Sequence, residues 1–291
     1  MQMVFHVGVH GTDGDRLLKT LLKNRAPLRK AGTEVVLPKR HQGIFDEALK
    51  SLNGGTATPD MEQIMLDAIL ENDDPSRVVM STPTFMGAPG RAVGQGGLYP
   101  QIGTRAAALA QLFPSAQTEF FVALRNPATL LTEVLPQFGG NGYDDLMQGC
   151  HPLQLRWREA IQRLVRAVQG RRLVLWCHED VPLIWPEVLR LVAGLPQDVP
   201  LSGGLSYMQD LLGELGLARL RDAMAGHDQM SVAQRREIWG DMITRHALPG
   251  TLDQDVDLPG WTQDMVDKVT QNYRADVAEI AVLPGVEFIL P

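Results

Sequence analysis

The chain has few of the features that mark secreted, membrane-spanning or nucleic-acid-binding proteins. Its 291 residues include only two cysteines, Cys150 and Cys177, so no disulfide framework is expected and both thiols are predicted to be structural. No apolar run approaches the roughly 18 residues needed to span a bilayer, and Met1 leads into a strand pattern instead of a signal peptide. The formal charge of −7 argues against general nucleic-acid binding, because neutralising phosphates needs a basic surface. We therefore expect a cytoplasmic protein without a membrane span or a nucleic-acid partner.

The hydrophobic content of 44% is sufficient for a substantial core, and its pattern indicates the fold class. Short apolar runs rich in Val, Leu and Phe alternate with segments of helical spacing, as in parallel strands joined by helical crossovers. Strands are predicted at residues 3–9, 33–37, 77–81, 119–124 and 172–177, and helices at 16–29, 61–71, 104–112 and 153–168. The sequence therefore predicts an α/β fold with a central parallel sheet and flanking helices.

The pattern becomes helical after residue 200. Helices are predicted at 208–223, 231–246 and 262–280, with Ser231 and Thr262 as N-caps, and residues 284–291 are expected to form a last short strand or a docked tail. We predict a single domain over 1–291, with an α/β core in 1–200 and a helical C-terminal extension in 201–291.

A glycine-containing turn follows the first predicted strand. The segment His-Val-Gly-Val-His-Gly-Thr-Asp-Gly-Asp-Arg at 6–16 indicates a strand, a turn and a helix start, the arrangement in which backbone amides and the helix dipole favour a bound anion. The amides around Gly8, Gly11, Thr12 and Gly14 are predicted to form the cradle. The turn nevertheless has no lysine.

Two acidic residues in this turn favour a different interpretation. A carboxylate at the start of a helix accepts hydrogen bonds from free N–H groups, as a bound phosphate would. Asp13 and Asp15 are therefore predicted to fill the anion site from within or to repel a dianionic ligand.

The turn resembles the segment His-x-Gly-x-His-Lys-Thr-Gly-Thr-Thr of many bacterial sulfotransferase-like proteins, a branch of the phosphate-loop proteins. The matching residues are His6, Gly8, His10 and Thr12. The differing residues are Gly11 at the lysine position, Asp13 at the glycine position, and Gly14 and Asp15 at the two threonine positions. The residues that handle phosphate in that family are the ones that differ here.

Three other segments are similar to that family. Residues 120–127 resemble its strand ending in Arg-x-Pro, residues 173–181 resemble its strand ending in Tyr-Glu-Asp-Leu, and Leu98-Tyr-Pro100 with Arg105 resembles a bacterial subgroup. In the family, the arginine and a serine about eight residues later hold the 3′-phosphate of the sulfuryl donor, 3′-phosphoadenosine 5′-phosphosulfate (PAPS). Arg125 matches the arginine, whereas Glu133 occupies the serine position with the Thr132 hydroxyl beside it. The family's C-terminal Arg-Lys-Gly donor-binding segment is not visible.

The resemblance implies transfer of a sulfuryl group from PAPS to a hydroxyl of a small molecule, lipid or carbohydrate, without a metal. In that reading the donor is bound by Gly8, Gly11, Thr12, Gly14, Arg125 and Thr132. Arg16 would replace the missing lysine charge, and His10 would be the base. The alternative is a catalytically degenerate protein with a binding or scaffold role. A nucleotide kinase is the weaker third reading, since the lysine and the magnesium-binding hydroxyl are absent.

Several other polar residues have open roles. His6 is expected to be a hydrogen-bonded core histidine, and residues 178–180 are expected to cap a helix more readily than to bind a metal. Ser81 and Thr82 either orient an acceptor or belong to a turn. The loop at 81–100, with five glycines and three prolines, is a candidate lid or substrate wall. The five tryptophans are expected to be packing residues.

Overall fold

A computed structural model describes residues 1–72, 74–139, 142–196, 199–225 and 230–291. These residues form an α/β fold around a six-stranded parallel sheet with the strand order β2-β3-β1-β6-β7-β8 and a separate two-stranded hairpin, β4-β5. The strands are β1 (Gln2–His6), β2 (Thr33–Val36), β3 (Arg77–Ser81), β4 (Val93–Gly94), β5 (Gly97–Leu98), β6 (Gln117–Leu124), β7 (Arg172–Cys177) and β8 (Glu287–Ile289).

Helices cover both faces of the sheet. They are α1 (Arg16–Lys23), α2 (Arg25–Lys30), α3 (Pro38–His41), α4 (Ile44–Leu52), α5 (Pro59–Ile69), α6 (Ile102–Leu112), α7 (Pro127–Val134), α8 (Tyr143–Met147), α9 (Trp157–Ala167), α10 (Val181–Ala193), α11 (Ser206–Met224), α12 (Val232–His246) and α13 (Gln263–Ile280). Within the described ranges, no helix is both long enough and apolar enough to cross a membrane.

The core lies on the two faces of the sheet. Successive residues of β1 point to opposite faces, so Met3 and Phe5 join the larger hydrophobic cluster whereas Val4 joins the smaller one. Helices α6, α9 and α13 contribute to the larger cluster, and α1 and α10 contribute to the smaller one. Burial on both faces explains why the strands are continuous apolar runs, and it confirms the predicted α/β class.

The predicted helix at 16–29 is wrong in one respect, because it is divided at Asn24. The Asn24 side chain donates to the carbonyls of Thr20 at 2.8 Å and Ser202 at 3.0 Å, and its Oδ1 accepts from the Ser202 amide at 2.9 Å. Pro27, which has no N–H to continue the first helix, lies in the next turn. The tertiary contact with Ser202 therefore ends α1 and allows α2 to take a new direction.

The C-terminal helices belong to two different parts of the fold. Helices α11 and α12 pack on each other around a separate cluster that contains Trp239. In contrast, α13 packs on α7 and α9, and β8 pairs with β7 as the last strand of the sheet. The segment at 284–291 therefore contains a strand, and packing crosses the boundary predicted at residue 200. Ser231 and Thr262 cap α12 and α13 as predicted.

Candidate functional site

The candidate site is a cleft of about 540 Å³ at the carboxyl ends of β1 and β6. The turn after β1 has positive φ angles at Gly8, Gly11, Gly14 and Asp15, and α1 begins at Arg16. Of the sequence-predicted residues, His10, Gly11, Thr12, Gly14, Arg16 and Arg125 line this cleft. The sheet order explains their proximity, since β1 lies next to β6 and the ends of parallel strands meet at one edge.

The Arg125 guanidinium is nearly buried and directly contacts the glycine turn. Its Nη1 donates to the carbonyl of Gly11, and its Nη2 lies 3.4 Å from a Glu133 carboxylate oxygen and 3.2 Å from Gln254 Oε1. Its Nε donates to Thr129 Oγ1 at 3.2 Å. Each nitrogen of the guanidinium therefore already has a partner within the protein.

These contacts explain why residue 11 is a glycine. A Cβ atom added to Gly11 would lie 2.7 Å from the Glu133 Cβ and 3.0 Å from Arg125 Nη1, and the φ of +71° also disfavours a side chain. The space in which a lysine side chain would begin is occupied by the pair formed by Arg125 and Glu133. A side chain at position 11 is therefore incompatible with the observed positions of Arg125 and Glu133.

The two aspartates of the turn have different environments. Asp13 Oδ2 accepts a hydrogen bond from the Leu17 amide at 3.1 Å, at the start of α1. Asp15 is the N-cap residue with a left-handed φ of 63°, and its side chain makes no capping hydrogen bond. Asp13 alone therefore occupies the N-terminus of α1 in the way that a bound anion would.

The Arg16 side chain is held by α11. Its Nη2 pairs with the Asp210 carboxylate, and its guanidinium carbon lies 4.1 Å from the centre of the Tyr207 ring. The side chain lines the cleft, but its charge is shared with Asp210. Cation–π contact and ion pairing both orient the guanidinium toward α11.

His10 is buried against Tyr99. Only 2% of His10 is exposed, its Nδ1 lies 3.0 Å from the Tyr99 hydroxyl, and its amide donates to that same oxygen at 3.1 Å. The Tyr99 hydroxyl therefore contacts both the backbone and the ring of His10. Burial lowers the pKa of His10, and Nε2 has no partner in the described part of the chain.

His178 faces the same cleft from the turn after β7. Burial and then the Arg125 charge lower its pKa to about 4, although Asp13 opposes this change.

Glu179 accepts from the Asn126 amide at 2.8 Å and from the Tyr273 hydroxyl at 2.7 Å. The capping role predicted for 178–180 is thus wrong for α10, because Asp180 is at its N-cap without a side-chain bond. Among the described residues, no group of three potential ligands is arranged to hold a metal.

Other candidate residues use their polar groups locally. Thr132 Oγ1 donates to the Thr129 carbonyl at 2.8 Å, and Thr12 Oγ1 donates to the Val9 carbonyl at 2.8 Å. Gly8 and Thr132 do not line the cleft, whereas Glu133 does. His6 is 2% exposed and bonds Ser81 through Nδ1 at 2.8 Å, as expected of a core histidine.

Sequence reasoning assigned no site role to Tyr99 or Gln254. Tyr99 belongs to the Leu-Tyr-Pro segment at 98–100, which was the only signal near it, and its unusual φ of 41° is visible only in the structure. Gln254 lies in a loop without a motif and reaches Arg125 across 129 residues of sequence. Only tertiary contacts identify these two residues.

The fold and the cleft define an α/β protein with a parallel sheet and a glycine-containing turn at its carboxyl edge. No protein-family model matches this chain, and no curated protein sequence matches it.

Proposed function

We propose that this is a catalytically degenerate sulfotransferase-like protein whose anion site is filled by its own side chains, and that its role is binding or scaffolding. The observation that carries the proposal is the hydrogen bond from the Leu17 amide to Asp13 Oδ2 at 3.1 Å. A carboxylate in this position satisfies the helix N-terminus that a phosphate or sulfate group would otherwise contact.

The charges around the cleft also disfavour a doubly charged ligand. Asp13, Asp15 and Glu133 contribute three negative charges to its lining, whereas Arg16 and Arg125 contribute two positive ones. Two unit charges about 5 Å apart interact by roughly 3 kcal/mol at an effective dielectric constant near 20. Because Arg125 is already paired with Glu133, a 3′-phosphate would have to displace that carboxylate.

The groups that catalysis needs are absent, already paired or buried. Sulfuryl transfer needs cations or donors directed at the bridging oxygen and at the departing phosphate, and loss of one donor typically costs about 3–4 kcal/mol. The turn lacks the lysine, and Arg16 is paired with Asp210. The ring nitrogens of His10 are buried, so an acceptor hydroxyl has no direct access to this proposed base.

An active sulfotransferase is the second candidate, and one observation favours it. Arg125 Nη1 contacts the Gly11 carbonyl, so a guanidinium lies beside the turn where the lysine is missing. In such a reaction, the acceptor oxygen forms a bond to sulfur while the bond from sulfur to the 5′-phosphate oxygen of PAPS breaks. The products are the sulfated acceptor and 3′-phosphoadenosine 5′-phosphate, and transfer of the hydroxyl proton to His10 requires the buried ring to become exposed.

Calorimetric titration with 3′-phosphoadenosine 5′-phosphate separates the two candidates. The degenerate protein should show no binding up to about 1 mM ligand. Replacing the two obstructing acids by the residues of the resembled motif, in the variant Asp13→Gly/Glu133→Ser, should restore measurable binding because it frees the α1 N-terminus and Arg125.

Binding by the wild-type chain with a Kd of about 10 μM, lost in Arg125→Ala, would overturn degeneracy and favour the enzyme. Arg158→Ala is the matched control, since it removes an exposed arginine far from the cleft. Stabilisation by ATP with magnesium, without any effect of the bisphosphate, would instead favour a nucleotide kinase.

A further inference from the structure

A second cavity of about 270 Å³ lies on the other side of the segment that follows β3. The 3₁₀ turn Pro83–Met86 contributes to both cavities, because Pro83 lines the cleft described above whereas Thr84 and Phe85 line the second cavity. Residues from α3, α4 and α6 and from the loop at 87–91 form most of the remaining walls. This volume is close to the lower end of the range of small-molecule sites, roughly 300–1,000 Å³.

One wall of this cavity is apolar and holds a histidine with an unused nitrogen. His41 is 1% exposed, and its ring lies 5.3 Å from that of Phe45 and 5.2 Å from that of Phe85. Its Nε2 is buried and has no hydrogen-bond partner within the described ranges. This nitrogen has no surface open to the cavity, so His41 contributes its ring to the apolar wall formed with Phe45 and Phe85.

The cavity lining also has two arginines that form no ion pair with any carboxylate of the described residues. Arg105 is fixed by hydrogen bonds from Nε to the Phe85 carbonyl at 2.5 Å and from Nη2 to the Thr84 carbonyl at 3.2 Å. Arg91 donates to Gln101 Oε1 at 3.0 Å. Asp46 is the acidic residue of this lining, and it lies beyond ion-pairing distance from both guanidinium groups.

We propose that this cavity binds a small organic carboxylate that carries an aromatic or branched aliphatic group. The two arginines and Asp46 give the lining a net charge of one positive unit, which matches a monoanion better than a phosphate dianion. Guanidinium groups bind the two oxygens of a planar carboxylate through charge-assisted hydrogen bonds. The hydrocarbon part packs on Phe45 and Leu109.

The experiment titrates the full chain with benzoate, phenylacetate and isovalerate, and with benzamide as the neutral counterpart of benzoate. At least one acid should bind, and benzamide should bind at least about tenfold more weakly than benzoate because it has no negative charge and only one acceptor oxygen for the guanidinium groups. Arg91→Gln should weaken acid binding by about tenfold or more, whereas Arg245→Gln, which removes an exposed arginine on α12, should leave it unchanged.

Arg91→Gln is the main variant because Arg105 also holds two carbonyls of the 3₁₀ turn. The proposal is overturned if none of the three acids binds up to about 10 mM, or if benzamide binds as tightly as benzoate. It is also overturned if Arg91→Gln has no effect or if inorganic phosphate binds more tightly than the acids. Titration with the nucleotide bisphosphate reports on the other cleft, so the two proposals fail separately.

Discussion

Three histidines have a buried ring nitrogen without a hydrogen-bond partner in the described part of the chain: His10, His41 and His178. All three line cavities at the carboxyl edge of the sheet. Burial lowers the pKa of each, so each is neutral near pH 7. At the residue scale, these side chains are places where a hydrogen-bonding group is not satisfied by contacts among the described residues.

The pH dependence of stability should reveal the burial of His41. Its pKa is about 4 in the folded protein and 6.5 in the reference state. The unfolded chain therefore binds more protons between these values, so the free energy of unfolding falls as the pH falls through that window. Between pH 6.5 and 5, one such histidine accounts for roughly 2 kcal/mol.

His41→Phe removes this titration and retains the stacking on Phe45 and Phe85. Urea unfolding at both pH values should show a loss for the wild-type chain that exceeds the loss for the variant by about 2 kcal/mol. Equal losses would show that folding does not lower the pKa of His41.

At the scale of secondary-structure elements, the docking of α13 depends on one buried carboxylate. Asp276 is fully buried, and its oxygens accept from Arg156 Nη2 at 2.5 Å and from Arg156 Nε at 3.0 and 3.1 Å. It also accepts from the Arg158 amide at 3.3 Å, at the start of α9. These bonds connect α13 to α9 and hold the helix that precedes β8.

Asp276→Asn should therefore destabilise the protein strongly. The variant leaves the Arg156 charge without its partner, and loss of one member of a buried pair typically costs about 3–5 kcal/mol, here about 3 because Arg156 is partly exposed. The control is Arg158→Gln, which removes a half-exposed pair between the same two helices and should cost less than about 0.5 kcal/mol. Denaturant unfolding measures both, and similar effects would show that burial of Asp276 is unimportant.

At the scale of the whole molecule, the cleft joins residues that are far apart in sequence. His10 contacts Tyr99, Gly11 contacts Arg125, and Arg16 contacts Asp210. The position of β1 between β3 and β6 is responsible for the first two, because it places the turn after β1 between the loops that follow its neighbours. The third depends on the packing of α11 against α10.

Two glycines of the turn test the contact between the turn after β1 and α7. Gly11→Ala should cost more stability than Gly14→Ala, although both residues have positive φ. The new Cβ meets Glu133 at 2.7 Å in the first case and open space in the second. Backbone strain alone costs about 1 kcal/mol, and overpacking adds about 1–3 kcal/mol at position 11. Equal shifts in the midpoint of urea unfolding would indicate that α7, which carries Glu133, can move away from the turn at little cost in stability.

Much of the fold could be predicted because the apolar runs are specific to parallel strands. The strands at 77–81 and 172–177 have the predicted bounds, and the caps at Ser231 and Thr262 begin the predicted helices. These features depend on local periodicity and on side chains near the helix ends. The division at Asn24 could not be predicted, because it depends on a contact with Ser202.

The site was predictable only in outline. The glycine turn and Arg125 were predicted to meet, and they are in contact. The partners that decide their chemistry were not predictable in the same way, since Gln254 carries no motif and the direction of the Thr132 hydroxyl depends on its helix. The alternatives for Asp13 were stated from sequence, whereas only the structure distinguishes it from Asp15.

The sequence by itself determined the α/β class, the parallel strands and the turn rich in amides, because these depend on periodicity and on residues close together in the chain. The tertiary structure decided which charges face the cleft, which of them are already paired, and that a second cavity lies beside it with two arginines that form no ion pair within the described ranges. Ion pairing and burial depend on distances between segments far apart in the chain, and no local pattern specifies those distances.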